Sequence, residues 1–173
     1  IFGITSFNKN KLEKARIALN TMRHRGPDQC GEYYDDDVYI GHRRLSILDL
    51  TEKGKQPMIS TDNNTIIAVN GEIYNFKELK EILQDKYNFK SESDSEVLLY
   101  GYKEWGIDKL LERIDGMFAF SVYDKKSKKI YLVRDRVGIK PLYYSTLNNQ
   151  ITWASELKAI QQYYENQNVL KYD

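Results

Sequence analysis

Apolar positions along the chain switch between a two-residue and a three-to-four-residue rhythm, and the switches lay out the elements. Residues 1–6 are short and β-rich, and predict a strand. Leu12, Ala15, Leu19 and Met22, with Ala18 beside them, recur at helical spacing, so residues 11–23 predict a helix. Gly26-Pro27 breaks that pattern, because neither residue continues a helix well. Residues 38–42 and 66–69 predict strands. Residues 76–86 carry Leu79, Ile82 and Leu83 on one side and predict an amphipathic helix. A further helix runs through Trp105, with Ser93 as N-cap and Glu96 completing a capping box. Residues 118–123 and 129–134 form one expected hairpin, and 142–144 with 151–154 a second. Residues 155–160 begin a last helix.

This order lacks the regular alternation of a parallel α/β sheet. Hairpin-linked strands late in the chain argue for mostly antiparallel pairing. The expectation is an α+β fold, two stacked and mainly antiparallel sheets with helices covering the outside.

Composition narrows the class. The chain has 173 residues, 41% of them hydrophobic, which suits one globular domain with a sizeable core. Its 26 basic and 25 acidic residues leave a net charge of +1, so no nucleic-acid partner is expected. The basic run Lys125-Lys126-Ser127-Lys128-Lys129 falls between two strands and reads as a solvated turn. No membrane span is expected, since no apolar run approaches the needed length. The single cysteine, Cys30, excludes an intrachain disulfide and fits a reducing, cytoplasmic setting. With only His24 and His42 beside it, no metal site is expected.

Candidate chemistry concentrates at Asn70-Gly71, where a nearly all-apolar strand meets an amide and then glycine. The Asn70 side-chain NH₂ and the Gly71 backbone N–H can converge on one point, as an oxyanion requires when an acyl group is attacked. Glycine also lets the backbone come close. Taken bare, Asn-Gly after a strand is more often a type I′ hairpin turn.

Eight stretches in order add specificity: 1–4 (IFGI), 23–28 (RHRGPD), 43–49 (RRLSILD), 70–75 (NGEIYN), 93–98 (SDSEVL), 115–120 (DGMFAF), 134–143 (RDRVGIKPLY) and 154–158 (ASELK). Together the chain resembles the class II glutamine amidotransferase domain of glutamine-dependent asparagine synthetases, over nearly its whole length. The resemblance implies a four-layer αββα sandwich of the N-terminal-nucleophile hydrolase type, with residues 1–173 as one such domain. It implies hydrolysis of the L-glutamine side-chain amide, with ammonia passing to a C-terminal synthetase domain of the same chain. That domain activates aspartate with ATP and Mg; its Ser-Gly-Gly-x-Asp-Ser signature is absent from this sequence, so no cofactor is expected here. A homodimer stays open.

The family nucleophile is a mature N-terminal cysteine, with its own α-amine as proton shuttle, and it would lie just ahead of Ile1. Cys30 matches no catalytic position and reads as a free thiol in a loop. Unobserved leading residues, their removal, or a pseudoenzyme each account for the gap. Arg44 matches the arginine that forks onto the substrate α-carboxylate, against the bare reading of surface charge. The backbone around Ile47 would touch substrate, with core packing as the plain alternative. Asn70 and Gly71 would form the oxyanion hole. Glu72 and, more strongly, Asp94 would meet the α-ammonium; helix-capping electrostatics is the bland account of Asp94. Such a clamp accepts a free amino acid and rejects a peptide-bound glutamine. The 25–28 turn (RGPD) would shape a loop over the pocket, and 134–136 (RDR) an Arg–Asp network. Glutaminase domains of aminosugar, purine or polysaccharide-modifying enzymes remain alternatives, as does a non-catalytic glutamine-binding module.

Overall fold

Each strand sorts its residues onto two faces, and both sheets use both faces. The computed structural model describes residues 1–147 and 149–165. Its strands are β1 (Phe2–Thr5), β2 (Gln29–Tyr34), β3 (Val38–Arg44), β4 (Met58–Ile59), β5 (Thr65–Ile73), β6 (Gly116–Asp124), β7 (Lys129–Arg134), β8 (Tyr143–Leu147) and β9 (Gln150–Ala154). The helices are α1 (Leu12–Asn20), α2 (Phe76–Leu83), α3 (Ser95–Arg113) and α4 (Leu157–Tyr163). One sheet has the order β2-β3-β1-β9-β8 and the other β4-β5-β6-β7. Every pairing between them is antiparallel.

Three apolar layers hold the sandwich. On the outside of the first sheet, Phe2, Ile4 and Tyr39 pack on Ala15, Ala18 and Leu19 of α1 and Ile160 and Tyr163 of α4. Between the sheets lie Val38, Ile40, Ile66, Ala68, Tyr123 and Trp153. Outside the second sheet, Ile67, Val69, Phe120 and Val122 meet Leu79 of α2 and Val97, Leu98 and Leu110 of α3. Helices flank two antiparallel sheets, as the α+β reading expects.

Several local expectations change. Strands β2 and β4 are additional; β2 is a half-exposed edge and β4 has two residues, so neither carries a strong apolar rhythm. Cys30 sits on β2, exposed, and not in a loop. Asn70-Gly71 is no hairpin turn, because β5 continues through it to Ile73. Helix α3 runs past Trp105 to Arg113, with a break at Gly106, whose φ of 74° suits glycine. The capping box does not form. Ser93 Oγ accepts from Ser95 N–H at 3.3 Å, but Glu96 turns to Lys90 N–H (3.0 Å), Ser91 N–H (2.8 Å) and Ser91 Oγ (2.6 Å). It therefore ties down the loop entering α3. Among the described residues the Arg–Asp network does not form either. Arg134 donates to the Lys140 and Gly138 carbonyls, while Asp135 accepts from the Val137, Ile139 and Lys140 amides. Both shape the loop after β7.

Candidate active site

In an antiparallel ladder a residue sends its N–H and C=O to the same side, and alternate residues face opposite sides. β5 is paired with β6 along its whole length, but β4 covers only its start. Beyond β4, side chains replace the missing neighbour. Val69 N–H donates to Gln56 Oε1 at 2.6 Å, and His42 Nε2 lies 2.8 Å from Val69 O. Ile73 N–H donates to Asp94 Oδ2 at 2.8 Å. Gly71 lies midway and faces the same open edge. Its cross-strand partner agrees, since the Phe118 carbonyl accepts from Asp135 N–H on the far side. The Gly71 N–H therefore has no acceptor among the described residues. Beside it, Asn70 Nδ2 is buried and likewise has no partner among the described residues. Two free donors on consecutive residues line one cavity of about 280 Å³. Glycine is required at 71 for packing. A Cβ there would sit 2.2 Å from the Met117 carbonyl oxygen, so the close approach is to β6 and not to a ligand.

The same cavity is lined by Ile1, Arg44, Ile47, Glu72 and Asp94, so every sequence-predicted site residue is gathered there. Ser155 holds Ile1 by both ends: Ile1 N donates to Ser155 Oγ and Ser155 N–H to Ile1 O, each at 2.9 Å. The head of β1 is thereby fixed at the cavity wall. Asp94 is 6% exposed. Burial pushes its carboxyl above the usual range, the Ile73 N–H bond opposes this, and the nearby Glu72 charge adds to the rise. Glu72 itself is exposed. Two carboxylates beside one cavity suit a cationic group.

Arg44 is buried but heavily engaged. Its Nη1 donates to Gln29 Oε1 at 2.8 Å, and its Nη2 to the Leu48 and Asp49 carbonyls at 2.7 and 2.6 Å. It is neither surface charge nor a free fork: it folds the 45–49 loop over itself. Ile47, on that loop, is 76% exposed, so the core-packing alternative fails and it stands at the cavity mouth. The 25–28 turn does shape this wall. Asp28 Oδ2 accepts from Ser46 N–H at 2.8 Å, and Arg25 lines the cavity.

Sequence reasoning missed His42, Gln56 and Ser155. Alternation along β3 places His42 on the inner face with Val38 and Ile40, a signal that was present. Burial lowers its imidazole well below the ordinary histidine value, against the pull of the Val69 carbonyl. Gln56 and Ser155 lie outside any strand or helix, where periodicity says nothing. Among the described residues no group of three or more His, Cys, Asp or Glu is placed to hold a metal ion. No described helix is long and apolar enough to cross a membrane.

Comparison with known proteins gives these features a family. The chain is 45% identical to asparagine synthetase [glutamine-hydrolyzing] 2 of Bacillus subtilis, over 82% of this chain and 18% of that protein. It is 46% identical to asparagine synthetase [glutamine-hydrolyzing] 1 of the same organism, over 89% of this chain and 25% of the relative. Asparagine synthetase B [glutamine-hydrolyzing] of Escherichia coli is 40% identical over 92% of this chain and 29% of its own length. The chain thus spans less than a third of each of these relatives. Among solved structures, glutamine phosphoribosylpyrophosphate amidotransferase from B. subtilis has the same fold, with a TM-score of 0.78 at 21% identity, covering 94% of this chain and 43% of that one. The family model described as glutamine amidotransferase domain matches residues 1–173. A two-sheet sandwich with its cavity where the head of β1 meets the C-terminal end of β5, matched from end to end, makes this chain a member of the glutamine amidotransferase domain family.

Proposed function

We propose that this chain is the glutaminase part of a glutamine-dependent asparagine synthetase, acting in the cytoplasm. One observation carries the reading: the free donors of Asn70 and Gly71 open onto the cavity that also holds Asp94 and the head of β1. A cysteine just ahead of Ile1 supplies the thiol. Its sulfur bonds to the carboxamide carbon of glutamine, and the carbonyl oxygen becomes an oxyanion. Asn70 Nδ2 and the Gly71 N–H, already aimed and without partners to give up, stabilise that charge. The C–N bond then breaks, and the amine leaves as ammonia with the proton shuttled by the cysteine's α-amine. Water cleaves the thioester, giving glutamate and the free thiol.

Asp94, with Glu72 nearby, meets the substrate α-ammonium. Arg44 contributes to the α-carboxylate end in two ways. Its Nε–H has no acceptor among the described residues, and its Nη groups fix the loop whose backbone and Ile47 border the cavity mouth. This chemistry asks for no cofactor. ATP and Mg belong to a C-terminal synthetase part that uses the ammonia to amidate aspartate, and the short span of this chain against its relatives supports such a partner.

Mass spectrometry of the natural protein's N-terminus, paired with a glutamine hydrolysis assay, tests the reading. A terminal cysteine with a free amine and release of ammonia from glutamine are expected. Any other residue there, with glutamine bound but not hydrolysed, would make the chain a glutamine-binding module.

A further inference from the structure

The donors of Asn70 and Gly71 work only if β5 holds its line where β4 no longer supports it. Unpaired strand edges twist and seek partners. At Val69, the residue just before the two donors, both backbone groups on the open edge are taken up by side chains. Gln56 Oε1 accepts from Val69 N–H at 2.6 Å, and His42 Nε2 meets Val69 O at 2.8 Å. A carbonyl only accepts, so His42 carries its proton on Nε2. Its Nδ1 is then a bare acceptor, buried and without a partner among the described residues. These two side chains come from separate places: His42 from β3 in the opposite sheet, Gln56 from the segment leading into β4. Both are buried, at 5% and 6% exposure, and both line the cavity. Gln56 continues onward, its Nε2 donating to Ser95 Oγ at 3.3 Å, next to Asp94.

We propose that His42 and Gln56 are positioning residues that together stand in for a missing strand at Val69, ending the ladder one residue pair before Gly71 so that its N–H stays open to the cavity. Neither touches the reacting carbonyl. They act through β5. A real strand in their place would continue along the edge and pair with Gly71, closing the site. Two side chains stop where a strand cannot. The inference rests on the oxyanion role proposed above for Asn70 and Gly71, and explains why that role is available on a strand.

The test uses the natural full-length protein. His42→Asn retracts the amide donor toward the δ position, out of reach of Val69 O, whereas His42→Gln puts a nitrogen near the place of Nε2. Gln56→Met keeps length and removes the acceptor for Val69 N–H. Expected are a kcat for glutamine hydrolysis lowered roughly ten-fold or more in His42→Asn and Gln56→Met, a KM changed by less than about three-fold, and recovery of most kcat in His42→Gln. Wild-type kcat in both disruptive variants, or a raised KM with kcat intact, overturns the proposal. Two further readouts do not depend on turnover. The wild-type protein should show the Nε2–H tautomer of His42 by ¹⁵N NMR, and Gln56→Met should lose amide-exchange protection at Val69. An Nδ1–H tautomer, or unchanged protection at Val69, overturns it. A wild-type protein that hydrolyses no glutamine defeats the functional reading instead, and the NMR and exchange results still decide the positioning.

Discussion

The two halves of β5 are built from one strand and do different work. At its start, Ile66 and Ile67 are fully buried, one facing the inter-sheet layer and the other α2 and α3, with β4 and β6 on either side. From Val69 onward only β6 remains, and the other edge meets Gln56, His42, a gap at Gly71, and Asp94. The first half is ordinary ladder and contributes stability. The second uses the same alternation to point backbone groups at an opening. The difference teaches that a binding edge needs no special backbone, only a neighbour that stops early and side chains that end the ladder in the right place.

Substitutions that act on one half alone sharpen the comparison. Asn70→Ala in the natural full-length protein should lower kcat by a hundred- to a thousand-fold, about 3–4 kcal/mol, with KM nearly unchanged. Steady-state kinetics checks this, and an effect confined to KM refutes the oxyanion assignment. Asp94→Asn should raise KM for glutamine by about 1.5–3 kcal/mol through loss of a charge-assisted contact. In the wild type the same contact needs an ionised Asp94, whose carboxyl burial holds high. KM should therefore climb on acidification, starting at higher pH than an ordinary aspartate dictates, and Asp94→Asn should flatten that climb.

His42 couples the second half to pH through stability. Burial holds its imidazole well below its ordinary value of 6.5 in the fold. Below 6.5 the unfolded chain binds the proton and the folded one does not, so stability falls as pH drops through 6.5 until the folded imidazole titrates as well. The slope approaches about 1.4 kcal/mol per pH unit. Denaturant unfolding at several pH values measures it, and His42→Gln should remove that component. The smallest effect belongs to the first half. Ile67→Val should lose about 0.5–1.5 kcal/mol of stability by the same unfolding measurement while leaving kcat and KM unaltered.

Periodicity revealed the layers because the layers are what periodicity encodes. Lys11 to Arg23 contains α1, and the late hairpins are β6–β7 and β8–β9. It concealed β2 and β4, one half-exposed and the other two residues long, and it ended β5 too soon at Asn70 because the apolar run gives way there to Asn70, Gly71 and Glu72. The candidate site residues were picked as motif, and Arg44, Ile47, Asn70, Gly71, Glu72 and Asp94 all border one cavity. What they do to each other was not legible. That Arg44 clasps four loop and side-chain acceptors with its Nη groups, or that Glu96 holds the loop before α3 and not Ser93, depends on where chain segments distant in sequence come to lie. His42 and Gln56 act by reaching Val69 across 27 and 13 residues, a relation no local pattern records.

Amide hydrogen exchange along β5 tests the central claim without any need for catalysis. The account predicts slow exchange at Val69 and Ile73, whose N–H groups are bonded to Gln56 and Asp94, and fast exchange at Gly71 between them. A Gly71 amide as protected as its two neighbours would mean that the edge is closed and the oxyanion site is not there.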